Sequence, residues 1–140
     1  MTWAWAQNHW TNNPTWTVYS KNQLVMYHAI CSTVIAKIES NSAFDLIIPS
    51  GTAIQNYRTQ QNDDNLNHDG THLSNLGCYI AAAMWVKTIT GYDIANLTTG
   101  YVANKTWGSS PSVTITPAIL GNIVQAVNDA TATPFAVTPL

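Results

Sequence analysis

The stretch "FDLIIPSG", residues 44–51, decides how the rest of the chain is read. Phe44, Leu46, Ile47 and Ile48 form a short apolar run with one interruption, and Pro49 and Gly51 stop it. Strict alternation would mark a strand with one wet face. A continuous run marks a strand covered on both faces, as in a parallel sheet flanked by helices. A buried strand is therefore expected over 44–48. Upstream, "TWAWA" at 2–6 alternates small and aromatic residues and reads as a second short strand, while Pro14 bars a central strand in the polar stretch that follows. Between the two, Leu24, Tyr27, Cys31, Val34, Ile35 and Ile38 fall within one arc of a helical wheel and predict a helix over 22–39. Strand, helix and strand in this order make a βαβ unit with a right-handed crossover.

Downstream, residues 50–68 are polar and read as an irregular loop leaving the C-terminal end of the 44–48 strand, the edge where open α/β sheets build sites. Ser74 then caps a helix in which Leu76, Tyr79, Ile80, Ala83 and Met84 share a face, with Lys87 in the last turn and Gly91 as the stop. Thr116 and Pro117 open a final helix to about Ala130, with Ile119, Ile123, Val127 and Ala130 toward the core. The fold expected is a single α/β domain over 1–133, with 134–140 as a tail.

The chain has 140 residues, 46% apolar and 9% charged, with a net charge of −2. That balance supports one folded core and gives no electrostatic case for nucleic acid or an anionic membrane as partner. Cys31 and Cys78 fall inside predicted helices and are expected as free thiols. The start, "MTWAWAQNHW", lacks the features of a secretory signal, and the longest apolar stretch, 78–86, is too short to span a bilayer. No cellular address is read from the chain, although its Asn- and Thr-rich polar residues suit a periplasmic or secreted parent protein. The N-x-T sequons at Asn96 and Asn104 carry little weight in such a composition.

The chemistry concentrates in "NHDGTH", residues 67–72. An imidazole acts as a general base when one nitrogen faces the proton to be taken and a carboxylate holds the other in the right tautomer. Asp69 is the candidate holder and His72 the candidate base; Gly70 permits the tight turn between them, and the helix after Ser74 anchors it. The same residue types also serve as ordinary helix caps. His68, Asp69 and His72 suit a metal such as zinc but lack a clear further ligand, and His9 and His28 are distant in sequence, so no metal or other cofactor is expected. A base needs a nucleophile. None of the serines sits in a G-x-S-x-G elbow, Ser50 reads as part of a strand's stop signal, and neither cysteine shows signs of activation. Trp10 and Trp16, in a polar loop at the strand end, and Arg58 in "QNYR" are candidates for substrate contact; a clamp on Asp63 or Asp64 is the other role open to Arg58.

The segments "TWAWAQ", "MYHAI", "IIPSGTAIQNYR" and "DGTHLSNLGCYIAAAMWVKTITG" together resemble, in order, the C-terminal half of an SGNH (GDSL-type) hydrolase, close to a little-characterised bacterial branch of that superfamily. The resemblance implies a flavodoxin-like sandwich with a parallel sheet of about five strands. It also implies hydrolysis of acyl or acetyl esters, often on carbohydrates. In that family a serine attacks, the histidine of the last block takes its proton and the aspartate orients the histidine, which carries over here only to His72 and Asp69. The blocks bearing the nucleophile and the oxyanion-hole Gly and Asn have no match in this chain.

The expected function is thus the Asp-His portion of a serine ester hydrolase whose nucleophile lies outside the chain. A missing N-terminal portion, or self-association through an unpaired strand edge, is the partner implied. The alternative, from a different class, is a non-catalytic carbohydrate-binding or assembly module using the N-terminal tryptophans.

Overall fold

A computed structural model describes residues 1–7, 14–104 and 110–138. Five α-helices occur among them: α1 (Pro14–Thr17), α2 (Gln23–Val34), α3 (Ser50–Gln61), α4 (Asn75–Thr90) and α5 (Pro117–Ala132). A π-helical turn, Ile35–Glu39, extends α2, and a 3₁₀ turn, Ile94–Asn96, follows α4. The only sheet among the described residues is a short antiparallel pair, β1 (Val102–Ala103) with β2 (Val113–Thr114), in which Val102 faces Thr114 and Ala103 faces Val113. The domain is α/β in type and mostly helical. No helix of the described residues is long and apolar enough to cross a membrane.

The caps read from sequence at Ser74 and Thr116 are in place, and α2 has one at Asn22. Asn22 accepts from the N–H groups of Leu24 and Val25, Ser74 from Gly77, and Thr116 from Ile119, each satisfying a donor that the first helical turn leaves open. Gly91 closes α4 in the left-handed region at φ 70°, where a side chain would be strained.

Neither expected strand forms a ladder. Residues 2–6 and 44–48 carry no regular strand pairing; two bonds tie the segments, from the Met1 amine to the Ile48 carbonyl (2.7 Å) and from the Gly51 N–H to the Met1 carbonyl (3.2 Å). Phe44 and Leu46 are 51% and 54% exposed, against the expected burial on both faces. Burial on two faces requires a layer on each. Here Ile48 packs on the main core, and nothing among the described residues covers Phe44 and Leu46. The approach of the N-terminal segment is nonetheless close: a Cβ at Gly51 would stand 1.8 Å from the Thr2 carbonyl oxygen.

Of the polar stretch 50–68 expected as a loop, Ser50–Gln61 form the central helix. In α3 the apolar residues Ala53, Ile54 and Tyr57 are buried, and so are Thr52, Gln55, Asn56, Arg58 and Gln60. Buried polar groups are tolerated when each finds a partner. Tyr27 donates its hydroxyl to Thr52, which donates to the Pro134 carbonyl; Asn56 donates to the Ala126 carbonyl and accepts from the Thr138 N–H; Gln60 donates to Asp129. These bonds also dock residues 134–138, expected as a tail, against α3, and Phe135 and Val137 pack beside the N-terminal cluster.

Two apolar clusters result. The larger joins α3, α4 and α5 through Ile54, Tyr57, Ile80, Met84, Ile123 and Val127. The smaller packs Ala4 and Trp16 against Met26, Tyr27 and Cys31 of α2. Burial pushes the Cys31 thiol pKa up, and both cysteines are free. Leu24 and Ile35, predicted on the buried face of α2, are 44% and 43% exposed, because α2 meets only the N-terminal cluster on that side.

Candidate active site

The segment between α3 and α4 folds back on itself just before the α4 cap. Asn67 and Leu73 form an antiparallel bridge, His68 donates its N–H to the His72 carbonyl (2.9 Å), and Ser74 donates to the Leu66 carbonyl (2.8 Å). Gly70 takes the turn at φ 88°, a conformation open to glycine at little cost. Asp69 Oδ1 accepts from the Thr71 N–H (3.0 Å), the Thr71 hydroxyl (3.1 Å) and the His72 N–H (2.7 Å), so the carboxylate shapes the turn that carries it. Its second oxygen, Oδ2, lies 2.6 Å from His72 Nδ1.

That contact defines the state of the ring. An ionised carboxylate only accepts, so Nδ1 carries the proton and the Nε2 lone pair is left for chemistry. Burial works to raise the Asp69 pKa. The donors from the His72 backbone and ring and from Thr71 outweigh it and hold the carboxyl well below the usual carboxylate range. The His72 side chain is 64% exposed, and its Nε2 has no hydrogen-bond partner among the described residues. Asp69 and His72 are thus brought together as an oriented acid-base couple facing outward.

The turn is braced on three sides. From the N-terminal segment, Ala6 donates to the Gly70 carbonyl (2.9 Å) and the Trp3 indole to the Thr71 carbonyl (2.8 Å). From below, Asn67 donates to the same Thr71 carbonyl and accepts from the Arg58 guanidinium of α3. Behind it, α4 starts at once; a Cβ at Gly77 would stand 2.4 Å from the Leu66 carbonyl oxygen, so the helix packs directly under the loop.

Arg58, a candidate for substrate contact, is 5% exposed. It pairs with Asp64 at 3.2 Å and donates to Gln55 and Asn67. Burial pulls its pKa down, against the pull of Asp64 and Asp63, to about 10, so it stays charged at neutral pH. Trp16, the second candidate, is fully buried and stacked on Trp5 at 5.9 Å between ring centroids. Trp10 lies outside the described residues.

Sequence reasoning passed over Thr71 and Asn67, and read Trp3 only as part of the 2–6 segment and of the N-terminal tryptophans. Thr71 had a signal: an Asp followed two positions later by a hydroxyl residue is a common local turn. Asn67 and Trp3 had none, since their partners come from tertiary packing. His68, weighed only as a metal ligand, is 11% exposed in its side chain, stacks on His72 at 6.0 Å and leaves both ring nitrogens without a hydrogen bond. It lines a cleft of about 390 Å³ beside the couple, together with Asn65, Asn67, Ser74, Leu76 and Ser110. Each of His68, Asp69 and His72 offers one ligand atom, and these atoms lie within 4.8 Å of one another. No serine hydroxyl among the described residues hydrogen-bonds to His72; Ser74 caps α4, and Ser110 accepts from Asn75 and donates to the Pro111 carbonyl.

Fold and site together define an α/β domain that presents an Asp-His couple on a braced turn at the start of a helix. Residues 1–114 match the family described as "Domain of unknown function (DUF4886)", and the chain belongs to that family. It is similar to a DUF4886 family protein from Bacteroides uniformis ATCC 8492 whose crystal structure was determined at 1.50 Å resolution, with 32% identity and a TM-score of 0.77. The match covers 99% of this chain and 49% of that one, so the chain spans about half the length of this relative. No curated protein matches it.

Proposed function

We propose that Asp69 and His72 are the orienting and proton-transferring pair of a serine ester hydrolase of the SGNH type, acting on acyl or acetyl esters, with carbohydrate esters as one substrate class. The observation that carries this reading is the 2.6 Å contact between Asp69 Oδ2 and His72 Nδ1 on an exposed ring whose Nε2 is open. In the proposed step, Nε2 takes the proton of an attacking serine hydroxyl as the Oγ–carbonyl bond forms, then returns it to the departing alcohol. Asp69 holds the tautomer and offsets the positive charge that appears on the ring.

The serine and the oxyanion donors belong to a part of the protein outside the described residues. The half-length match to the Bacteroides uniformis relative is compatible with such a part. On this reading the complete architecture is the flavodoxin-like sandwich, with residues 2–6 and 44–48 as parallel strands completed by further chain. The binding-module alternative has less support, because Trp16 is enclosed in the core and presents no ring to a sugar.

A fluorophosphonate probe tests the proposal, since it labels only activated serines. In the full-length Bacteroides uniformis protein the label is expected on a serine outside the half that this chain matches, and it is expected to fall away when the histidine aligned with His72 is replaced by alanine. The chain of residues 1–140 alone should hydrolyse aryl acetate no faster than its His72→Ala variant. Label that persists without the histidine, or is absent altogether, refutes the proposal.

A further inference from the structure

We propose that His68, Asp69 and His72 form a binding site for a zinc ion, and that an ion held there takes His72 out of service as a base. The first ground is geometric. Tetrahedral zinc with ligands at about 2.0–2.1 Å places neighbouring ligand atoms about 3.3 Å apart. His72 Nδ1 and His68 Nε2 stand 2.6 and 4.0 Å from Asp69 Oδ2, and the whole set spans 4.8 Å. Shifts on the order of 1 Å in side chains on one short turn bring all three to a common centre.

The second ground is His68 itself. Its ring is largely enclosed, yet neither nitrogen has a hydrogen-bond partner. Enclosed polar groups in native proteins are normally satisfied, and a buried group without a partner calls for an explanation such as an ion. Whichever ring nitrogen carries the proton, the other offers a lone pair.

Ligand chemistry selects the ion. Two imidazoles and one carboxylate suit zinc, whereas magnesium and calcium require mostly oxygen ligands. Three protein ligands leave a fourth position, and the exposure of His72 opens it to water. Zinc entry replaces the proton on His72 Nδ1, which passes to solvent, while Asp69 exchanges that hydrogen bond for a metal bond. The effect on catalysis rests on the hydrolase reading above, whereas zinc binding itself does not.

The test reads bound zinc and requires no activity. Chelator-stripped chain is titrated with zinc chloride by calorimetry, and the ring signals of His68 and His72 are followed by NMR. One zinc per chain is expected, with both rings shifting; His68→Ala should weaken binding by roughly tenfold or more, as loss of one of three ligands implies. His28→Ala, on the exposed side of α2, should bind as wild type does, and magnesium chloride should give no binding. His68→Gln guards against misfolding of the alanine variant: with a native circular dichroism spectrum it should show the same loss. The proposal is overturned if zinc fails to bind, if the folded His68 variants bind as tightly as wild type, or if magnesium binds equally well.

Discussion

Replacing Asp69 by asparagine should invert the tautomer of His72. In the native turn Oδ1 accepts three bonds, from the Thr71 N–H, the Thr71 hydroxyl and the His72 N–H, while Oδ2 lies 2.6 Å from Nδ1, nearer than the Thr71 hydroxyl at 3.2 Å. Asparagine keeps the three turn bonds with its carbonyl oxygen and puts an NH₂ where Oδ2 was. A donor there demands a lone pair on Nδ1, so the proton moves to Nε2 and the base is lost. A hydrogen bond to a charged group is worth about 1.5–3 kcal/mol. With Asp69 38% exposed, water screening leaves the lower end of that range. About 1.4 kcal/mol corresponds to a tenfold bias, so native His72 should carry its proton on Nδ1 by roughly ten to one. Two-bond ¹H–¹⁵N correlation of the ring, recorded on the mildly alkaline side of neutrality, reads the tautomer directly and needs no substrate. In a complete hydrolase the same inversion should lower kcat by on the order of 10⁴. A native ring protonated on Nε2, or an unchanged ring in Asp69→Asn, would refute the reasoning.

The remaining predictions concern what holds the couple in place. Asp69 has a folded pKa below its ordinary 3.8, so the stability it contributes is present above that value and lost as pH falls toward the folded one. Urea midpoints should therefore decline with acidification below about pH 4 more steeply in the native chain than in Asp69→Asn, and parallel curves would count against the turn bonds. Gly77→Ala gains up to about 1 kcal/mol of helix propensity. It also places a Cβ 2.4 Å from the Leu66 carbonyl oxygen, so the variant should be less stable overall, by about 1–2 kcal/mol in urea denaturation, with broadened His72 ring signals. Arg58→Met strips Asp64, Gln55 and Asn67 of a buried shared donor and should cost about 3 kcal/mol or more. Arg58→Lys should recover only part of that loss, because one ammonium cannot reach all three; full recovery would show that charge alone matters.

The helices with an apolar stripe or a clear cap were legible in sequence. Ser74, Gly91, Thr116 and Pro117 mark ends that the structure keeps to within a residue or two. So was the D-G-T-H turn, because its bonds are local: every hydrogen bond to the His72 ring and N–H among the described residues comes from within three residues of it. What failed was any element whose stability comes from a distance. Helix α3 buries six polar side chains, five of which find partners in the 126–138 region, α2 and the 64–67 loop, and a reading that looks for apolar periodicity counts those residues as solvent-facing. The 44–48 run failed in the opposite sense: its apolar content suits a strand, but a strand exists only through its neighbours.

The two failures have a common consequence for the site. Arg58 reaches from the misread helix to Asn67, Asn67 to the Thr71 carbonyl, and Trp3, from the segment expected as a strand, to that same carbonyl. The short-range bonds of Asp69 set the shape of the turn, and these long-range bonds set where it points. On the proposed reading, the use of His72 as a base depends on aiming Nε2 at one fixed place, toward which the buried polar side of α3 and the N-terminal segment hold the turn. Arg58→Met should therefore separate the two properties. The His72 tautomer is held by bonds within the turn and should persist, while the ring should lose its fixed orientation. In a complete hydrolase of the proposed type kcat should then fall although the Asp69–His72 bond remains. A variant that kept full activity would show that the brace contributes to folding alone.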